Sequence, residues 1–123
     1  MSTFRKGSAL VVLVGLVALV AAVSAFGRAE SSAATTVTVT AGKPGELNFT
    51  LSKKTIVRGV TTFKVTNRGS ISHDFKIAGK KTPTLAAGKT ATLKLTLKKG
   101  KFPFLCTIPS HAAGGMKGTL TVK

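Results

Sequence analysis

The chain splits into one unbroken apolar stretch and a long region of alternation. From Ala9 to Phe26 every residue is apolar apart from Gly15 and Ser24. Beyond Thr36, apolar and polar residues alternate with period two, the repeat of a strand that buries one face. Val37 and Val39 alternate with threonines. Leu47, Phe49 and Leu51 alternate with Glu46, Asn48 and Thr50, and Phe63 and Val65 with Thr62, Lys64 and Thr66. The same parity holds for Ala91, Leu93, Leu95 and Leu97 against Thr92, Lys94, Thr96 and Lys98, and for Leu120 and Val122 against Thr119 and Thr121. Turn signals separate the runs: Gly42-Lys43-Pro44-Gly45, Arg58-Gly59, Asn67-Arg68-Gly69, Ala78-Gly79, Ala87-Gly88 and Lys99-Gly100. About seven short strands at this spacing, with threonine and lysine outside, predict an all-β antiparallel sandwich or barrel. No segment after Phe26 shows a helical period.

The apolar stretch reads as an export segment. Arg5 and Lys6 form a basic flank, and Val23-Ser24-Ala25 offers the small residues a signal peptidase needs. Cleavage after Ala25 would leave 98 of the 123 residues. The stretch is longer than a usual signal core of about 7–15 residues and approaches the roughly 18 that span a bilayer. Residues 1–25 are therefore expected to be a signal peptide or an N-terminal membrane anchor. In both cases the remainder lies outside the cytoplasm, periplasmic, secreted or held on the outer membrane face. Glu30 to Thr36 is small and polar and reads as linker chain, so the expected linker is 26–34 and 35–123 is one domain with a workable but modest core.

Export changes the meaning of the charge. Residues 26–123 hold 17 basic residues against Glu30, Glu46 and Asp74, a formal +14. In the cytosol such a balance would suggest nucleic acid. Outside the membrane it points to acidic proteins, anionic head groups or an acidic envelope. The lysines are scattered over turns and alternate strand positions, with no helix-length basic stripe and no interleaved aromatic platform, so nucleic acid is not expected.

Cys106 is the only cysteine, so no internal disulfide can form. An exposed lone thiol outside the cytoplasm is a liability, so Cys106 is either buried or used. Ile71, His73, Phe75 and Ile77 share one strand parity, which turns His73 inward at a strand's start. Phe102, Phe104 and Cys106 share another, with Cys106 at a strand's end. If the two strands run antiparallel, His73 and Cys106 meet at one edge of the sandwich. After Cys106 the spacing is C-x4-H-x4-M, through His111 to Met116. Pro109 and Gly114-Gly115 oppose a continuous helix, so this segment curls as a loop able to aim three side chains at one point. Two imidazoles, a thiolate and a weak thioether are the donors of a type 1 copper site. Zinc prefers four strong ligands, and calcium or magnesium prefer oxygen. Every cysteine and histidine of the chain, and its one methionine after Met1, belongs to this set, so His73, Cys106, His111 and Met116 are the expected ligands of one copper ion.

These residues carry a family resemblance. Gly59…Thr62-Phe63…Asn67-Arg68-Gly69…His73-Asp74-Phe75, with Phe104-Leu105-Cys106, His111 and Met116, resembles the cupredoxins, specifically small bacterial blue-copper proteins. The four-residue gaps look like the azurin, auracyanin and rusticyanin branch rather than plastocyanin. The resemblance covers about Thr35 to Lys123 and implies a Greek-key β-sandwich with the ligand loops at one end. It also implies that His73 and His111 are imidazole ligands, Cys106 the thiolate and Met116 the axial thioether. Asp74 stands where many members carry the Asn that ties the two ligand loops together. Phe102 replaces a frequent Tyr, and Pro103 suggests a strand edge or a bulge.

The expected task is one-electron transfer by a monomer. The resemblance implies that the His111 ring edge reaches a small apolar docking surface, and the lysines are expected to steer an acidic redox partner. Association with membrane or envelope follows from the N-terminal segment and the basic surface. Two other readings stay open: a copper carrier or buffer without redox work, and a metal-free sandwich that binds anionic surfaces. An enzyme is not expected, because a Cys106–His111 nucleophile pair lacks an identifiable third group.

Overall fold

The computed structural model describes residues 34–123, so the export segment expected over 1–25 and nearly all of the 26–34 linker lie outside the described residues. Nine strands follow in order: β1 (Thr35–Ala41), β2 (Phe49–Leu51), β3 (Thr55–Ile56), β4 (Gly59–Asn67), β5 (Lys76–Ile77), β6 (Lys80–Lys81), β7 (Thr90–Leu97), β8 (Gly100–Leu105) and β9 (Lys117–Val122). They form two sheets, β2-β1-β4-β7 and β3-β9-β8-β5-β6, and no helix occurs among the described residues. The all-β sandwich is as expected. The strand count exceeds seven because β3, β5 and β6 are only two residues long.

The sheets are mixed rather than purely antiparallel. β1 pairs with β4 in parallel from Thr35↔Thr61 to Ala41↔Asn67, and β3 pairs with β9 in parallel. The remaining pairs are antiparallel. Period-two alternation reports which face is buried and carries no information on direction. After β2 the chain places β3 in the other sheet and returns as β4 in the sense of β1.

Alternation becomes burial where the strands are long. Val37, Val39 and Ala41 of β1 and Thr61, Phe63, Val65 and Asn67 of β4 are fully buried, and their in-between neighbours face outward. The main core joins Val37, Val39, Phe63 and Val65 to Phe75, Ile77, Leu85, Leu97, Phe104, Leu120 and Val122. Each large apolar side chain fully removed from water contributes about 1.5–3 kcal/mol. Phe75 sits centrally, with ring centroids 5.3 Å from Phe49, 5.5 Å from Phe63 and 5.5 Å from Phe104. A second, smaller cluster of Ala41, Cys106 and Met116 caps this core, with Leu47, Phe49 and Ile108 against it.

Parity fails in two places, and both matter. Only Phe49–Leu51 of the alternating run at 46–51 is a strand. Residues 42–48 instead form a closed loop, with Gly42 N donating to Asn48 O at 2.9 Å and Asn48 N to Gly45 O at 3.2 Å. Ile71, expected inward, is 45% exposed, because β5 begins only at Lys76 and the chain before it is not in a sheet. Pro103 lies one position beyond the β5 pairing, which ends at Ile77↔Phe104. The missing N–H therefore falls where β8 has no neighbour on that side, the local edge that proline requires.

Candidate metal centre

Three loops meet at the end of the sandwich where β1, β4 and β8 finish. Asn67, buried at the end of β4, organises the first. Its Nδ2 donates to Ile71 O and Leu85 O, both at 2.8 Å, and its Oδ1 accepts Gly69 N at 2.9 Å. His73 then forms a two-way bridge with Leu85, donating from its backbone N at 3.0 Å and accepting at 2.7 Å. This pins the His73 backbone between elements, and its ring is fully buried.

Cys106 follows β8 directly. The antiparallel pairing Lys76↔Leu105 carries it alongside the start of β5, so the convergence expected from strand direction is present. The segment from Cys106 to Met116 is a string of turns closed by its own backbone. His111 N donates to Ile108 O, Gly114 N to Ser110 O, Gly115 N to Ala112 O and Met116 N to His111 O, all at 3.0–3.1 Å, and Cys106 N donates to Met116 O at 3.1 Å. Asp74, 1% exposed, ties the two ligand segments together. It accepts Thr107 N at 2.6 Å on Oδ1 and the Thr107 hydroxyl on Oδ2. The bridging role implied for this position is thus performed by a carboxylate.

The donor atoms face one another. His73 Nδ1 lies 3.2 Å from His111 Nδ1, His111 Nδ1 lies 3.5 Å from Cys106 Sγ, and the three donors all lie within 4.8 Å of each other. An ion bonded at about 2.0–2.3 Å to three donors in a plane holds them about 3.5–4 Å apart, so this spacing fits one ion. Met116 is fully buried in the same apolar cluster as Cys106. Burial pushes the Cys106 thiol up from its ordinary value, while the Asp74 backbone N–H, 3.5 Å from Sγ, pulls the other way. A cation at the site supplies the stabilisation that the thiolate otherwise lacks. One thiolate, two imidazoles and a neighbouring thioether suit copper.

Sequence reading missed Glu46. In the 42–48 loop its Oε1 lies 2.8 Å from His73 Nε2, and a carboxylate only accepts, so Nε2 carries the proton. In the neutral ring the Nδ1 lone pair is then free to face Cys106 and His111. Glu46 also accepts Ser70 N, Ser70 Oγ and Ile71 N. The Ser70 amide, the His73 ring and the Ile71 amide hold its carboxyl down at about 2. The one sequence signal was the Gly42–Gly45 turn immediately before it, which interrupts any strand beginning at Glu46.

Comparison with known proteins agrees with this fold. The chain matches the profile of the Cupredoxin-like domain over residues 10–122. No curated protein sequence matches it. Among solved structures, it resembles auracyanin from Roseiflexus castenholzii at 28% identity and TM-score 0.58, over 72% of this chain and 97% of that one. It also resembles auracyanin A of Chloroflexus aurantiacus, a "blue" copper protein, at 19% identity and TM-score 0.63, over 73% and 99% of the two chains. Rusticyanin from Thiobacillus ferrooxidans is similar at 22% identity and TM-score 0.62, over 73% and 77%. With a profile match across nearly its whole length, a two-sheet sandwich and the Cys-His-His cluster at one end, the chain belongs to the cupredoxin-like family.

Proposed function

We propose that this chain is an exported blue-copper protein that holds one copper through His73, Cys106, His111 and Met116 and passes single electrons between partners. The observation that carries the reading is the convergence of two Nδ1 atoms and a buried sulfur within 4.8 Å. Copper, cycling between its cuprous and cupric states, supplies the one-electron chemistry. The protein supplies a site that need not rearrange. His73 is fixed by the Leu85 bridge, and the Asp74–Thr107 pair fastens its segment to that of Cys106. The Asp74 N–H points at Cys106 Sγ and favours the thiolate over the thiol. Met116, with Ala41, Leu47 and Ile108, keeps the Cys106 side apolar. Full burial of His73 and Cys106 favours retention of the metal over its delivery to another protein.

His111 is the half-buried ligand, in a turn with Ala112 and beside exposed Pro109 and Ala113. Its exposed side gives an electron its shortest way out. All lysines and arginines of the described residues are exposed, a surface that steers an acidic partner and whose rate of reaction falls as salt rises. The apolar stretch from Ala9 to Phe26 supports export, as a cleaved signal or a retained anchor.

Titration of the purified domain with Cu(II) is the test. The expected result is one equivalent bound with an intense blue charge-transfer band. Cys106→Ser abolishes that colour, and Met116→Gln keeps it while lowering the potential, because an amide oxygen favours the cupric state. A parent protein that binds no copper, or binds it without colour, overturns the proposal.

A further inference from the structure

We infer that Glu46 is a positioning residue of the metal centre. From the loop between β1 and β2 its carboxylate sets the tautomer of His73, and it places a fixed negative charge one imidazole ring away from the copper. The inference rests on the copper reading above and adds to it a residue outside the four ligands.

Three observations carry it. The first is the hydrogen-bond pattern. Glu46 accepts His73 Nε2 at 2.8 Å, Ser70 N at 3.0 Å to both oxygens, Ser70 Oγ at 2.9 Å and Ile71 N at 3.1 Å. A side chain resting casually on a surface is not held by four donors of one segment. The second is the room made for it. A Cβ at Gly69 would overlap Glu46 Oε1 and lie 3.1 Å from His73 Nε2, and a Cβ at Gly42 would run into the backbone of Gly69. Gly42 also has φ +81°, a conformation that other residues rarely adopt. Two glycines thus bring the loops close enough for the carboxylate to reach the ring. The third is the distribution of acids. Glu46 and Asp74 are the only acidic side chains of residues 34–123, and both contact the ligand segments. In a domain otherwise covered with lysine, the negative charge is concentrated at the metal.

The consequence follows from charge. An anion near the site stabilises the cupric ion more than the cuprous ion. Glu46→Gln is nearly isosteric, and its amide oxygen can still accept the His73 N–H, so it removes the charge and keeps the position. At the effective dielectric of a partly exposed site the lost attraction weakens Cu(II) relative to Cu(I) by about tenfold. That ratio corresponds to a rise in potential of about 59 mV for a one-electron couple. Gly69→Ala, which leaves Glu46 in the chain but displaces its carboxylate, shifts the potential the same way.

The experiment has two arms. Ring-nitrogen NMR of the metal-free parent is expected to show His73 protonated at Nε2, and that tautomer is expected to be partly lost in Glu46→Ala. Midpoint potentials of the copper-loaded parent, Glu46→Gln and Gly69→Ala form the second arm. A His73 ring protonated at Nδ1 in the metal-free parent overturns the positioning role. A blue parent whose potential is unchanged in both variants overturns the charge role. A colourless parent overturns the copper reading instead, and the NMR arm still decides whether Glu46 sets the ring.

Discussion

The two segments that carry the histidines are built by opposite means. Residues 68–75 make few bonds to themselves and are held from outside, by Asn67 from β4, Glu46 from the 42–48 loop and Leu85 from the segment before β7. Residues 106–116 are held from inside, through successive turn bonds and the closing pair Cys106 N to Met116 O. The first segment inherits its shape from the sandwich, and the second carries its own. The accessibility of the two rings follows: His73 is fully buried and His111 half-buried. The fixed histidine and the accessible one are thus divided between a segment held by its neighbours and one closed mainly by its own turns, with Asp74 joining the two.

The sharpest way to break this comparison is to empty each histidine position in turn. His111→Gly and His73→Gly are both expected to lose the blue band. Added imidazole should restore most of it in His111→Gly, where the hole opens toward solvent. In His73→Gly recovery should be slight, because the hole is sealed behind a fully buried position. Equal rescue of the two, read by absorption, would erase the distinction.

A second test compares the supports. Asn67→Ala leaves the Ile71 and Leu85 carbonyls without their buried donor and should cost about 3 kcal/mol of unfolding free energy in urea. Ser110 sits at φ 71° inside the self-closed loop. Ser110→Gly relieves that conformation locally and should change stability by no more than about 1 kcal/mol, in the favourable direction.

The smallest effect is the acid limb. Glu46 is held below its ordinary 4.5, down to about 2, in the folded protein. A depressed carboxyl contributes stability that is present above the unfolded value and is lost as pH falls through the folded one. The metal-free parent should therefore lose stability between about pH 4.5 and 2 more steeply than Glu46→Gln, as followed by denaturant midpoints. Parallel curves would show that the carboxyl is not held down.

The self-contained segment was legible in the sequence, and the dependent one was only half so. Pro109 and Gly114-Gly115 in C-x4-H-x4-M mark a curled loop, and the successive turn bonds over 106–116 are that loop. His73 could be placed because strand parity and the antiparallel sense of β5 and β8 bring it beside Cys106. What holds His73 could not be read, because Glu46 lies 27 positions away and stands at the outward parity of an apparent strand. Only the close approach of Gly42 to Gly69 makes that contact, and alternation does not encode it. The parallel pairing of β1 with β4 escaped for a similar reason: hydrophobic period reports faces, whereas direction is decided by the path of the whole chain.

That pairing also decides which way the domain points. β1 enters at Thr35 and ends at Ala41, which is buried against Cys106 and Met116. A seven-residue strand spans about 20 Å, so Thr35 stands at the pole opposite the Cys-His-His cluster. The described chain thus enters one end of the sandwich and presents half-buried His111 at the other, so whatever approaches His111 meets the turns of 106–116 and none of the first residues of β1.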